Sequence, residues 1–322
     1  MARGLEQQGE RAAVQRRVRV VVNPSARGGR GVAALSRLMG QHVAGGEIEW
    51  VQSRSAEHFV ALVRAAQDEP LDALAVAGGD GTVTLAAAAL RDGQRLPLGV
   101  LPIGSGNDFA RDCGVPSELG AACAALIRGV PRRVDLGEAG AGGPRFGCVA
   151  SVGLDELALR TIYASLWPRS KALNICAALR GLIAYRPRTV EVSWERGRFV
   201  GPVMFVAVTN TKSYGGGFRV SPAASIEDGR LDVCIVQAAD KVRLLGQFPR
   251  ILRGTHGEIA EVTLAQTPWA RIRPLDRAPL TVCLDGELDL AAATEDRPIE
   301  LRCLPGALTV LVPRAAAGQG TP

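Results

Sequence analysis

Short aliphatic runs alternate with longer stretches of mixed polarity along the first third of the chain. Val18 to Val22, Ile48 to Val51, Leu74 to Ala77 and Leu98 to Leu101 are apolar runs of strand length. Between them, Leu35 to Met39, Phe59 to Ala66 and Val83 to Leu90 carry apolar residues at helical spacing. This switching of period, with Gly and Pro at the borders, predicts βαβ units and a parallel sheet. After Gly137 the pattern changes. Gly140 to Pro144 is a turn-rich spacer, and strands are expected at 145–152, 188–195, 203–209, 231–236, 280–284, 299–303 and 307–312. Helices are expected at roughly 155–184 and 241–253. Many short strands of this kind predict a β-sandwich-like unit. The expected order is an α/β domain over 1–136 and a β-rich domain over 137–305, without internal repeats. The Ala/Gly-rich tail beyond Arg314 is expected to be disordered.

Composition narrows the partners. With 322 residues, 47% of them hydrophobic, the chain can fill two cores. The net charge of +6 favours anionic partners such as nucleotides, acidic lipid headgroups or nucleic acid. Only 7 Phe, 4 Trp and 3 Tyr are present, too few for a platform that stacks single strands, so no nucleic-acid partner is expected. The 7 Cys are odd in number and lack Cys-x-x-Cys spacing, and only 3 His accompany them. That pattern speaks against a zinc site or a disulfide framework and for reduced thiols in a cytoplasm. The first 17 residues hold no apolar signal segment, and no apolar stretch reaches the roughly 18 residues of a membrane span. The expected protein is soluble, or at most rests on a membrane surface.

In parallel sheets ligands sit beyond the carboxyl ends of the strands, where the loops 23–30, 78–82 and 102–108 fall. Gly78-Gly79-Asp80-Gly81-Thr82 places three glycines around one carboxylate, and Pro102-Ile-Gly-Ser105-Gly-Asn107-Asp108 follows the next strand. Residues without Cβ let backbone N–H groups approach an anion, and a following helix adds its positive end. The pair suggests a nucleotide phosphate site. Asn23-Pro24-Ser25-Ala26-Arg27, with Arg30, reads by itself first as an ordinary βα turn, with a phosphate contact as the alternative. Asp108 is a helix N-cap or orients metal-bound water, and Asp135 is a turn residue or part of a site. By spacing, Asp228-Gly229 and Asp285-Gly286 are hairpin turns. Ser225 to Asp232 could also present carboxylate and carbonyl oxygens to Mg²⁺. From Leu157 to Arg188, apolar residues such as Leu166, Trp167 and Ile183 alternate with Arg169, Lys171, Arg180 and Arg186. This is either a helix packed on the sandwich or a face that docks on anionic lipid.

As a set, Asn23-Pro-Ser, Gly78 to Thr82, Pro102 to Arg111, Ser151 to Asp155, Tyr214 to Gly217, Asp228 to Asp232 and Asp285-Gly-Glu287 resemble the diacylglycerol kinase catalytic-domain family, in particular its soluble bacterial lipid kinases. The resemblance runs from residue 18 to about 313. It implies an α/β nucleotide-binding domain of the NAD-kinase/diacylglycerol-kinase type, a β-sandwich-like lipid domain, and a C-terminal return over 306–322. It further implies ATP- and Mg²⁺-dependent phosphorylation of a lipid hydroxyl, diacylglycerol first, by a cytoplasmic protein peripherally associated with membranes. The nucleotide contacts it implies are Asn23, Pro24, Ser25, Ala26, Arg27, Ser53, Gly78, Gly79, Asp80, Gly81, Thr82, Val83, Thr84, Ser105 and Asn107. Asp228 with the carbonyls of Ser225 and Arg230 would be a structural Mg²⁺ site. Asp80, Asp108 and Asp135 would hold catalytic Mg²⁺ through water. Asp285, beside Glu287, is the first choice for general base and Asp80 the second.

Three departures stand out. Ser53 and Ser105 replace the usual Thr, and Cys148 stands where Asn is common. The acceptor is left open among diacylglycerol, sphingosine and ceramide, because the segment 155–184 varies widely in the family. NAD kinases share Gly-Gly-Asp-Gly, but the segment after Thr82 lacks their Asn-Glu pair. A non-catalytic lipid-binding relative is the rival of another class, and a homodimer stays open.

Overall fold

The structure is a computed structural model that describes residues 16–36, 46–90, 94–167 and 170–314. The expectations for Met39, for Arg169 and for the tail beyond Arg314 lie outside these residues, as do those for the side chains of Arg27 and Arg30. The first half is laid out as β1 (Arg16–Val22), α1 (Arg30–Leu35), β2 (Gly46–Gln52), α2 (Ala56–Ala66), β3 (Ala73–Gly78), α3 (Asp80–Ala89) and β4 (Leu98–Pro102). Strands β2, β1, β3 and β4 pair in that order, all parallel. Every residue of β3 is buried, as a strand covered by helices on both faces requires. On α2, Phe59, Val63 and Ala66 form the buried face, and Ser55 caps the helix by accepting the His58 amide at 3.1 Å.

The short α4 (Asp108–Asp112) and α5 (Leu119–Arg128) then lead to β5 (Val130–Ala139), β6 (Arg145–Phe146) and β7 (Val149–Gly153). Two helices follow, α6 (Leu154–Tyr163) and α7 (Lys171–Ala184), then β8 (Arg188–Trp194), β9 (Gly197–Thr209) and β10 (Leu231–Gln237). The chain continues with α8 (Lys241–Arg253), β11 (Val262–Thr267), β12 (Trp269–Pro274), β13 (Leu280–Leu284), β14 (Glu287–Ala293) and β15 (Ile299–Val312). These strands pair antiparallel around a Val-rich core that includes Val152, Val190, Val206, Val233 and Val282. The fold class expected from the sequence, α/β followed by a β-sandwich-like unit, is the one observed.

Several elements differ from the sequence reading. The expected helix 155–184 is two helices, because Ala164 ends the first and Ser170 starts the second by accepting the Leu173 amide at 3.2 Å. The expected strands 299–303 and 307–312 are one strand, β15, whose register shifts between Leu304 and Leu308. Pro305-Gly306 reads as a break in sequence but folds as a bulge. Asp228-Gly229 is no hairpin, since β10 follows it and pairs with β9 and β11 instead. Asp285-Gly286 is one: Leu284 pairs with Glu287, and both turn residues have positive φ, 48° and 85°.

β15 joins the two halves. It pairs antiparallel with β12 near its start and with β5 along most of its length, and lies parallel beside β4 at Val310 and Leu98. The carboxyl ends of β1, β3 and β4 therefore face the region where β7 and the β13–β14 turn meet.

Candidate active site

Gly79 is the N-cap of α3, in extended conformation and with no side-chain cap. The first amides of that ten-residue helix are left without a capping side chain, and its positive end faces outward from the sheet. Asn23 ties the β1 loop to this turn: its Nδ2 donates to Thr82 Oγ1 at 2.9 Å, and its Oδ1 accepts the Ser25 amide at 3.0 Å. In the β4 turn, Asn107 has φ 55°; its Oδ1 accepts the Gly104 amide at 2.8 Å and its Nδ2 donates to Gly104 O at 3.0 Å. Asn107 thus shapes its own loop from within, a different role from the nucleotide contact expected of it. A Cβ on Gly104 would overlap Gly79 Cα, so the two turns pack backbone to backbone only as glycines.

Three buried carboxylates converge here. Asp108 is wholly buried; Ser213 Oγ donates to it at 2.9 Å, the Gly216 amide at 2.8 Å, and Arg111 forms an ion pair with it. Asp80 Oδ1 accepts the Phe109 amide at 3.0 Å and lies 3.8 Å from Cys148 Sγ, while Oδ2 has no side-chain partner. Burial first, then the neighbouring Asp108 and Asp285 charges, push Asp80 up to about 6, against the Phe109 amide. Burial, and then the same carboxylates, hold the Cys148 thiol far above its usual range, so it stays an S–H donor.

Asp285 is the most heavily bonded of the three. Its Oδ1 accepts the amides of Cys148 and Val149, both at 2.8 Å; its Oδ2 accepts the Gly147 amide at 2.6 Å and the Thr84 hydroxyl. Burial raises its pKa and these four donors oppose the rise. With two donors on each oxygen, little lone-pair capacity remains for a substrate proton. Glu287 Oε2 accepts the Tyr163 hydroxyl at 2.8 Å, which brings α6 against this turn.

A cavity of about 890 Å³ runs from these groups into the sandwich half. Asn23, Ser25, Ala26, Gly79 to Thr82 and Ser105 line its polar end, with Asp285 and Glu287. Its other end is apolar, walled by Phe205, Phe218, Val236, Leu244, Phe248 and Ile251. Between the two ends sits Asp155, whose Oδ2 accepts Ser151 Oγ at 2.6 Å and Tyr214 OH at 2.8 Å; burial raises its pKa against these two bonds. Asp155, Tyr163 and Tyr214 received no role from the sequence. A signal was present, because Asp155 follows a buried strand and Gly153 into a helix start, the same arrangement that presents Asp80.

Other expected site residues lie elsewhere. Ser53 is buried behind the β1 loop, donating to Val22 O at 3.2 Å, and does not line the cavity. Pro24, Gly78, Val83 and Thr84 do not line it either. Asp135 is not joined to Asp80 and Asp108: its carboxylate accepts the Gly229 and Gly306 amides, both at 2.7 Å, and so links the Asp228 turn to the β15 bulge. Asp228 itself accepts the Arg230 amide at 3.0 Å and Gln266 Nε2 at 3.2 Å. Nearby, burial and then the Asp228 charge push Asp232 up to about 7, and its Oδ2 has no hydrogen-bond partner. Among the described residues, no three acidic, His or Cys side chains form a metal-holding group. No described helix is long and apolar enough to cross a membrane.

The family model of the diacylglycerol kinase catalytic domain matches residues 17–139, and that of the YegS C-terminal NAD kinase beta sandwich-like domain matches 148–312. A diacylglycerol kinase of Mycobacterium tuberculosis is 33% identical over 286 residues, covering 87% of this chain and 89% of that protein. A diacylglycerol kinase of Bacillus subtilis is 32% identical over 225 residues, 67% of this chain and 71% of that one. The crystal structure of a diacylglycerol kinase from Bacillus anthracis superposes with a TM-score of 0.67 at 18% identity, over 93% of this chain and 98% of the other.

Proposed function

Since the chain belongs to the diacylglycerol kinase catalytic-domain family of lipid kinases, we propose that it transfers the γ-phosphate of ATP to the hydroxyl of a lipid, diacylglycerol foremost, giving phosphatidic acid. The observation that carries this reading is the single cavity that joins two glycine turns and a carboxylate cluster to an apolar pocket. The glycine turns and the α3 amides hold the phosphates, and the apolar end takes the acyl chains.

Magnesium fits this site. The point a Gly106 Cβ would occupy lies 2.8 Å from Asp80 Oδ2 and 3.0 Å from Asp108 Oδ2, so glycine there keeps open a cradle walled by two carboxylates. A magnesium ion commonly uses one or two carboxylates together with substrate phosphates. Asp80 and Asp108 would hold it through its water shell, where it neutralises phosphate charge. The Asp228 turn, with the Ser225 and Arg230 carbonyls and the free Oδ2 of Asp232, is the proposed second, structural site.

For the proton of the acceptor hydroxyl, the hydrogen bonding favours Asp80, the second choice from sequence, over Asp285, the first. Asp285 has its oxygens taken by four donors, whereas Asp80 keeps Oδ2 free of side-chain partners at the cavity wall. Asp80 is therefore the proposed proton acceptor. Asp285 positions it indirectly, by anchoring α3 through Thr84 and the 147–149 backbone. A sphingosine or ceramide acceptor is the second reading. Asp155 Oδ1 takes no protein hydrogen bond at the polar–apolar junction, where a second hydroxyl or an amine of the acceptor could donate to it.

The test is labelled ATP with Mg²⁺ and mixed micelles, each holding one of diacylglycerol, monoacylglycerol, ceramide, sphingosine or phosphatidylglycerol. Label in phosphatidic acid is the expected result. Label in a sphingoid lipid alone selects the second reading, and no labelled lipid in any micelle overturns both.

A further inference from the structure

Residues 214–218 form a closed loop whose tip is three glycines. Tyr214 and Phe218 exchange backbone hydrogen bonds at 3.1 and 3.0 Å. Between them Gly215, Gly216 and Gly217 have φ of 65°, 89° and 104°. The two arms are fixed by aromatic packing: Tyr214 stacks on Phe205 with centroids 6.4 Å apart, and Phe218 stands edge-on to Phe248 at 5.8 Å. The tip has no side chains with which to hold itself. Glycine has the most conformational freedom to lose, so such a tip keeps one shape only where neighbours bind its backbone.

Two neighbours do so, from opposite ends of the cavity. At the polar end, Asp108 Oδ2 accepts the Gly216 amide at 2.8 Å. From the apolar side, Asn174 Nδ2 on α7 donates to Gly215 O at 2.7 Å. The tip is closely enclosed between them. A Cβ on Gly216 would lie 3.5 Å from Asn174 Nδ2 and 3.7 Å from Ser105 O, and one on Gly217 would lie 3.7 Å from Lys171 Nζ. The tip therefore sits between the start of α7 and the β4 turn. It also borders the Gly106 cradle, where a Cβ would lie 3.0 Å from Asp108 Oδ2 and 3.3 Å from the Gly216 amide nitrogen. Asn174, Ala178 and Leu182 follow one another at one-turn spacing, and all three line the cavity. One face of α7 thus both walls the cavity and carries the bond to the tip.

We propose that Asn174 is a positioning residue: through the Gly215–Gly217 tip it holds Asp108 at the Gly106 cradle, so the carboxylate geometry of the polar end depends on how α7 is seated. Asn174 touches no reacting atom in this role. Its amide fixes the Gly215 carbonyl, the fixed tip aims the Gly216 N–H, and that N–H orients Asp108. The kinetic consequence, slower phosphoryl transfer when the tip is loose, rests on the lipid kinase reading. The hold on the tip requires neither nucleotide nor lipid.

The test is hydrogen exchange, read by mass spectrometry on the full chain without nucleotide or lipid, for wild type, Asn174→Ala and Asn174→Asp. Aspartate keeps the size of asparagine but lacks its N–H donors. In both variants, peptides covering residues 212–220 should exchange about tenfold faster, the scale of one lost hydrogen bond. Peptides of β3, α3 and β4 should exchange as in wild type. Unchanged exchange at the tip in either variant overturns the proposal. Faster exchange throughout the chain overturns it too, because Asn174 would then serve general stability. In diacylglycerol micelles with ATP and Mg²⁺, both variants should lower kcat about tenfold. KM for diacylglycerol should stay within a factor of about two. The opposite split, a raised KM at unchanged kcat, would make Asn174 a wall of the acyl pocket and overturn the positioning role. A wild-type protein that phosphorylates no lipid would remove the kinase reading alone, since the exchange result still decides whether Asn174 holds the tip.

Discussion

At the polar end of the cavity, the decisive carboxylates are held largely by main-chain amides. Asp285 is held by residues 147–149, Asp80 by Phe109 and Asp108 by Gly216. At the apolar end, α6, α7 and α8 contribute apolar residues such as Ala158, Ala178, Leu182, Leu244 and Ile251. The difference teaches where variation is tolerated. Replacing a residue at the polar end disturbs several strands and turns together. On the proposed function, replacing one at the apolar end changes chiefly the volume offered to an acyl chain, so acceptor choice could drift while the polar end stays fixed.

The contrast is sharpest at Asp80. Asp80→Asn should lower turnover by about 10³-fold, with ATP affinity within a small factor of wild type by equilibrium dialysis. If Asp285→Asn showed the larger loss of turnover at equal stability, the assignment of roles would be inverted.

Stability separates the same two carboxylates in opposite directions. Asn at 285 would turn an NH₂ toward backbone N–H donors, and the lost network should lower stability by about 3 kcal/mol, read from urea unfolding. Asp80 behaves the other way. Its folded pKa of about 6 lies above the unfolded value near 3.8, so the folded state binds the proton more tightly. Stability is therefore lost as pH rises from about 4 to about 6, by up to about 3 kcal/mol. Asp80→Asn should flatten that interval and melt higher than wild type at pH 8 in EDTA. Equal pH dependence in both proteins would break the comparison.

The smallest effect belongs to the apolar end. Ala178→Phe should reduce kcat/KM for long-chain acceptors by about tenfold, on the scale of a few methylenes excluded from a pocket, and spare short-chain ones. Equal losses at every chain length would show that α7 does not measure the acyl chain.

These contrasts also explain what could be read from sequence. The parallel half was legible because β3 and β4 are short apolar runs that each lead into a glycine-rich turn, a pattern with few alternatives. In the second half, β12 went unseen: Trp269-Ala-Arg-Ile-Arg alternates buried and exposed positions too briefly to stand out from a loop. Asp80 and Asp285 were visible as carboxylates beside glycine. Their different roles were not, because they depend on amides donated by residues 109 and 147–149, far away in the chain. Asp135 was misplaced for the same reason: only the fold shows that its partners are Gly229 and Gly306 rather than the cluster around Asp80.

β15 carries a consequence for the order in which the protein can be made. Leu98 on β4 emerges from the ribosome long before Val310, the β15 residue that lies beside it. At about 5–20 residues per second, the N-terminal sheet would wait on the order of 10–40 s with β4 as an open apolar edge. Such an edge invites pairing with neighbouring nascent chains. Synthesis, more than equilibrium stability, is then the stage at which this chain is most exposed to aggregation. A message truncated before Ile299 would make that vulnerable interval permanent.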